Sequence, residues 1–257
     1  MTQNERLLYL INYLIGENII YRNIDIPVDN KERFNLYRSL INVRIPHSIS
    51  EEYLEIEDEY LTQLNHERGT VNISDLSEIQ KDIYLWQGDI TTLESEAIIN
   101  AANSGMTGCY HPLHACIDNC IHTFAGVRLR LECADIMKKQ GHEEPTGQAK
   151  ITSAYNLPCK SVIHTVGPIV QGLLTHTHEK QLESSYRSCI ELAEKNEIKS
   201  IAFCCISTGV FGFPQKRAAE IAVKTVNDFK EKTKSEMKVI FNVFKDEDYE
   251  LYRNLLG

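Results

Sequence analysis

The sequence predicts an α/β fold, a sheet flanked by helices, with an α-helical extension at its N-terminal end. Three observations lead there. From about Asp82 onward, short β-branched or apolar runs alternate with longer amphipathic stretches, the pattern of strands alternating with helices. Ahead of that point, roughly the first seventy residues carry apolar side chains at helical spacing with no strand-like run between them. The 257 residues, 42% of them hydrophobic, suffice for one large domain with an appendage and a sizeable core.

Taken in order, Leu7, Leu8, Ile11, Leu14 and Ile15 share one face of a first helix, and Phe34, Tyr37, Leu40 and Ile41 share one face of a second. Ser48 followed by Glu51 has the spacing of a capping box and predicts the start of a third helix, which Tyr53, Leu54, Tyr60, Leu61 and Leu64 carry to a stop near Gly69. The extension holds no cysteine, and its histidines, His47 and His66, are isolated, so packing against the rest of the chain is its expected role. Strands are expected at DIYLWQ, AIINAAN, SVIHTV, SIAFCCI and VIFNVF, the fourth of them containing Cys204 and Cys205. Helices are expected near 118–141, 179–195 and 214–233, with DEDYELYRNLL as the last. The boundary is placed at residues 1–72 for the extension and 73–257 for the α/β domain.

Thirty-six acidic against twenty-seven basic residues leave a formal charge of -9, which argues against a nucleic-acid-binding surface but not against a local phosphate pocket. No export signal is evident and no run of about 18 apolar residues occurs, so a soluble, cytoplasmic protein is expected, with no membrane partner. In that compartment the eight cysteines are thiols or metal ligands before they are disulfides.

Three loops after strands have the character of a nucleotide site. Gly88-Asp89-Ile90-Thr91 combines a tight turn with a carboxylate that can accept from an exocyclic amine, although Asp-x-Thr is also a common helix cap. Asn100-Ala101-Ala102-Asn103-Ser104-Gly105 puts two amides on a small-residue loop, either a sugar-binding loop or an Asn-rich turn. Ser207-Thr208-Gly209-Val210-Phe211-Gly212 leads from a strand into a helix and can offer backbone N–H groups to phosphate without any Lys or Arg. Phe244, at the end of the last strand, either stacks on a base or packs under the final helix.

Residues 108–122 hold six Cys or His in fifteen positions, a density suited to a metal site. Cys109, His114 and Cys116 form C-x4-H-x-C without the second CxxC pair of a closed zinc module. Three ligands leave one coordination position open, as catalytic zinc sites do. Two other readings remain: buried thiols with no ligand role, and a closed structural site completed by His111, Cys120 or His122. Asp118, two residues past Cys116, is near enough to act as a general base or to orient a hydroxyl. His164 reads as a buried strand residue, and His176-Thr177-His178 as a solvated loop.

Together GDIT, INAANS, the segment TGQAKITSAYNLP from Thr146, VIHTVGP and STGVFGFP stand in the order and spacing of the macrodomain family, which the chain resembles from about residue 82 to 257. The resemblance implies a mixed sheet sandwiched by helices and a pocket for ADP-ribose. Where hydrolases of the MacroD type have a glycine run ending in Val-Asp-Gly, this chain has the Cys/His segment ending in Ile117-Asp118-Asn119, and so resembles the zinc-containing subgroup, which also carries a helical N-terminal extension. The family implies that Asp89 and the Ile90 amide meet adenine near Phe244, and that Asn103 holds the distal ribose. It implies that Ser207, Thr208, Gly209, Val210, Phe211 and Gly212 wrap the diphosphate, that Asp118 and Asn103 serve catalysis with Asn119 beside them, and that Cys109, His114 and Cys116 bind Zn2+.

The expected activity is zinc-dependent removal of mono-ADP-ribose from protein side chains, of the Asp/Glu-linked kind. Subgroup members encoded beside a sirtuin-type transferase and a lipoylated carrier protein suggest such a carrier as the modified partner. Two alternatives stand beside this one: deacetylation of O-acetyl-ADP-ribose, and ADP-ribose binding without catalysis around a structural zinc.

Overall fold

The computed structural model describes residues 1–257. Three helices come first, α1 (Gln3–Glu17), α2 (Asn30–Val43) and α3 (Glu51–Glu67). There follow β1 (Val71–Asn72), β2 (Glu78–Gln80), β3 (Ile83–Gln87), β4 (Leu93–Glu94), β5 (Ala97–Ala101), α4 (Ile117–Ala125) and α5 (Val127–Gln140). The chain ends with β6 (Ala149–Ser153), β7 (Ser161–Thr165), α6 (His176–Lys195), β8 (Ser200–Phe203), α7 (Gln215–Thr233), β9 (Lys238–Val243) and α8 (Asp246–Leu256).

Seven strands form one mixed sheet in the order β2-β3-β9-β8-β5-β7-β6, with β1 and β4 paired apart from it. The inner five run parallel, and the two edge strands, β2 and β6, run antiparallel to their neighbours. Parallel strands need cover on both faces, and the runs Ile98-Ile99, Val162-Ile163, Ile201-Ala202-Phe203 and Ile240-Phe241 are buried throughout. Because the inner strands are parallel, the loops after β3, β5, β8 and β9 all emerge at one edge of the sheet, where α/β proteins place their ligands. No helix is long and apolar enough to cross a membrane.

The helical extension builds a smaller apolar cluster of its own from Leu10, Ile11, Tyr37, Leu40, Tyr53 and Leu61, and one residue of the α/β part, Val127, completes it. The join is polar at its centre. Glu57 on α3 has 0% exposure and accepts from Tyr37 Oη at 2.7 Å, Tyr53 Oη at 3.0 Å and the Val127 amide at 2.7 Å. Burial holds its carboxyl above the ordinary glutamate value, against the pull of those donors. The contact with Val127 caps α5, whose own cap residue, Gly126, has no side chain. Gly126 is required there: its φ is +91°, and a Cβ would come within 2.8 Å of Glu57 Oε2. Glu57→Ala leaves two buried hydroxyls and one amide without an acceptor, each costing about 1–3 kcal/mol. Urea unfolding should show a loss of roughly 3–9 kcal/mol, with Glu57→Gln losing less because it keeps an acceptor oxygen.

Several expectations are corrected in detail. The third helix is capped by Ser50, whose side chain accepts from the Tyr53 amide, and not by Ser48. The stretch 118–141 is two helices, because Gly126 breaks it. Strand β8 ends at Phe203, so Cys204 and Cys205 lie in the loop just beyond it. His176-Thr177-His178 is the first turn of α6, capped by Thr175, and not a loop.

Candidate functional site

The carboxylate at the centre of the site is on the first turn of α4, whose cap is Cys116: the Asn119 amide donates to Cys116 Sγ at 3.4 Å. Asp118 is only 4% exposed. Its Oδ1 accepts from Asn100 Nδ2 at 2.8 Å and its Oδ2 from Asn103 Nδ2 at 3.4 Å, so both asparagines of the small-residue loop reach it. They differ in place: Asn100 is fully buried at the end of β5, and Asn103 is half-buried with its Nδ2 also donating to the Gly108 carbonyl. Burial pushes the Asp118 carboxyl up to about 6, with Asn100 opposing. His122 Nε2 lies 3.6 Å from Asp118 Oδ1, and neither ring nitrogen of His122 has a hydrogen-bond partner. His164 lies behind Asn100, fully buried on β7 with its Nε2 2.9 Å from Thr152 Oγ1.

One turn of chain away, Cys109, His114 and Cys116 bring one ligand atom each within 4.8 Å of the others. Cys109 Sγ is 3.3 Å from His114 Nδ1, and all three residues are half-buried. Two thiols and an imidazole converging in this way are a donor set that fits zinc. His111 lies outside the trio, its Nδ1 3.6 Å from Cys109 Sγ. Cys120 instead faces the guanidinium of Arg38, and His122 is held beneath Asp118.

Asp89 performs the capping task open to it in the sequence. Its Oδ1 accepts from the amide and hydroxyl of Thr91, capping the short 3-10 turn Ile90–Thr92, and its Oδ2 accepts from Arg68 Nη2 at 2.6 Å. Its side chain remains 43% exposed, while Ile90 is buried. After β8, Ser207 adopts φ +66° and is buried with its Oγ unpartnered, and Gly167 packs so closely that a Cβ would fall 2.1 Å from that oxygen. The loop closes on itself through Phe213 N to the Ser207 carbonyl and Gly212 N to the Gly209 carbonyl. The amides of Gly209, Val210 and Phe211 donate to no other group of the protein. Phe244 follows β9 and is 78% exposed, so it does not pack under the final helix.

Asn119 is fully buried and its side chain is committed internally: Nδ2 donates to the His111 carbonyl at 3.0 Å, and Oδ1 accepts from Arg38 at 2.8 Å. Two further residues at the site, Arg38 and Arg68, come from the helical extension, whose expected role from the sequence is packing. Arg68 also lies 3.5 Å over the ring of Phe124. Neither belongs to a motif, and no signal in the sequence separates them from other helix-surface arginines.

The Macro domain family matches residues 99–222. A protein-ADP-ribose hydrolase of Treponema medium is 57% identical, with all of both chains covered. One of Staphylococcus aureus (strain Mu50) is 48% identical over 98% of this chain and 95% of its own. Among solved structures, the Trypanosoma brucei macrodomain in complex with ADP-ribose superposes with a TM-score of 0.67 at 29% identity, covering 86% of this chain and 95% of that one.

Proposed function

The chain belongs to the macro domain family, and from that premise we propose that it is a hydrolase releasing mono-ADP-ribose from modified protein side chains, with zinc at Cys109, His114 and Cys116 and with Asp/Glu-linked substrates preferred. The observation that carries the reading is the convergence of a buried carboxylate, Asp118 on the first turn of α4, and the thiol-imidazole trio of the loop that leads into that helix, at the ligand-binding edge of the sheet. Relatives named for this activity align with the chain from end to end, which supports it further.

In this reading the free amides of Gly209, Val210 and Phe211 hold the diphosphate, which explains phosphate binding in a chain of net charge -9. Asp89 and Phe244 bound the adenine end. Asn103, on the rim and in contact with Asp118, holds the distal ribose. Asp118 accepts the proton of the incoming water, which replaces the side-chain carboxylate at the ribose and leaves ADP-ribose and the unmodified side chain. Asn100 fixes the orientation of Asp118 from behind. Zinc, when bound, supplies Lewis acidity next to that carboxylate.

The test is to incubate zinc-loaded protein with Asp/Glu-linked, Arg-linked and Ser-linked mono-ADP-ribosylated proteins, a lipoylated carrier among them, and with O-acetyl-ADP-ribose. Release of ADP-ribose chiefly from the Asp/Glu-linked set is expected. Turnover of O-acetyl-ADP-ribose alone would replace the protein substrate with the small molecule, and tight ADP-ribose binding with no turnover of any substrate would make the protein a reader.

A further inference from the structure

We propose that Arg38, on α2 of the helical extension, is a positioning residue for the metal loop, and that the zinc site is incomplete without this extension. The inference rests on the zinc reading above. The guanidinium of Arg38 donates through Nη2 to the His114 carbonyl at 2.8 Å and through Nη2 and Nε to Asn119 Oδ1 at 2.8 and 3.3 Å. Asn119 passes the constraint on. Its Nδ2 donates to the carbonyls of His111 and Cys109, and its backbone amide donates to Cys116 Sγ. Arg38 and Asn119 thus touch all three candidate ligand residues: their side chains reach the carbonyls of His114 and Cys109, and the Asn119 backbone amide reaches the Cys116 sulfur.

The loop they hold has little else to shape it. Residues 102–116 contain no helix or strand. Leu113, at φ +56°, is the residue before the one imidazole of the trio, and its amide donates to Asn42 Oδ1, again on α2. A loop that must bring two sulfurs and a nitrogen together before the metal arrives loses entropy in doing so, and anchoring it to a packed helix removes that cost from metal binding. Arginine suits the task because its planar fork meets two acceptors at fixed geometry, which a lysine ammonium does not. Groups that hold ligands in place in this way typically contribute about 10–100-fold to metal affinity.

The experiment compares the full-length parent with Arg38→Ala, Arg38→Lys and Arg6→Ala. The last removes an extension arginine whose ion pair, with Glu59, is remote from the loop. Zinc affinity is measured by competition with a chromophoric chelator, the ligand field by the visible bands of the cobalt-loaded proteins, and ADP-ribose affinity on the metal-free proteins. Arg38→Ala should bind zinc about 10–100-fold more weakly, with altered cobalt bands. Its ADP-ribose affinity should stay parental, Arg38→Lys should fall between it and the parent, and Arg6→Ala should match the parent. Should Arg38→Ala fail to fold, Arg38→Lys carries the test, since it keeps the charge and the half-buried aliphatic stem. Parental zinc affinity and cobalt bands in the folded Arg38 variants would overturn the proposal while leaving the zinc reading standing. A parent protein that binds no zinc would overturn the zinc reading itself.

Discussion

Cys116→Ser is expected to lower turnover about 1000-fold while leaving the fold and most ADP-ribose binding in place. The substitution separates two tasks of one side chain. As the cap of α4, Cys116 accepts from the Asn119 amide, and a serine hydroxyl does that at least as well. As a soft donor beside Cys109 and His114 it has no substitute in serine, so zinc affinity collapses. Loss of a Lewis acid at the reacting centre costs several kcal/mol of transition-state stabilisation, on the order of 1000-fold in rate. The groups proposed to bind the nucleotide are on other loops, Asp89 after β3 and the amides of Gly209–Phe211 after β8, so the dissociation constant for ADP-ribose should stay within a few-fold of the parent. Metal analysis, calorimetry with ADP-ribose and a single-turnover release assay on the same preparation check all three parts. Release at the parental rate from zinc-free Cys116→Ser would remove the metal from the mechanism.

The inner strands are legible in the sequence because each is a run of β-branched and apolar residues buried on both faces, and the loops holding Asp89, Asn103 and Ser207 follow directly from where those runs end. The short strands are not. β1, β2 and β4 span two or three residues each, too few to show a period, and β6 is an edge strand whose Ala149-Lys150-Ile151-Thr152-Ser153 lacks a continuous apolar run. Gly126 looks like a tolerated glycine inside one amphipathic helix until its φ and its contact with Glu57 are known. Ser48 and Ser50 both precede acidic residues, and only the backbone decides which one caps. The Cys/His density at 108–122 points to a metal on ligand type and spacing alone. The parts contributed by the extension could not be read, because Arg38 meets Asn119 across 81 residues and Arg68 meets Asp89 across 21, and pairing at such separations leaves no local pattern. The same applies to the division of labour between Asn100 and Asn103: burial separates them, and both sit in one short motif.

Asp118→Asn should lower turnover about 100- to 10,000-fold, the range associated with losing a positioned acid-base group, and should at the same time make the metal-free protein more resistant to unfolding. The second half of the prediction distinguishes a functional carboxylate from a structural one. Asp118 is almost wholly buried, yet no lysine or arginine donates to it; the amides of Asn100 and Asn103 and the unpartnered ring of His122 lie against it, and the buried Arg130 acts on it through its charge alone. Burial disfavours the charged carboxylate by more than Asn100 and the nearby Arg130 charge favour it, as its raised pKa reflects, so the fold carries this group at a cost in stability. An asparagine of the same shape keeps an oxygen to accept from Asn100 and removes the charge, which should raise stability by roughly 0.5–2 kcal/mol, as at other sites where activity opposes stability. Urea unfolding and single-turnover release, measured on one preparation, give both numbers. Loss of activity together with loss of stability would mean that Asp118 chiefly holds the loop, and parental activity would remove it from the reaction.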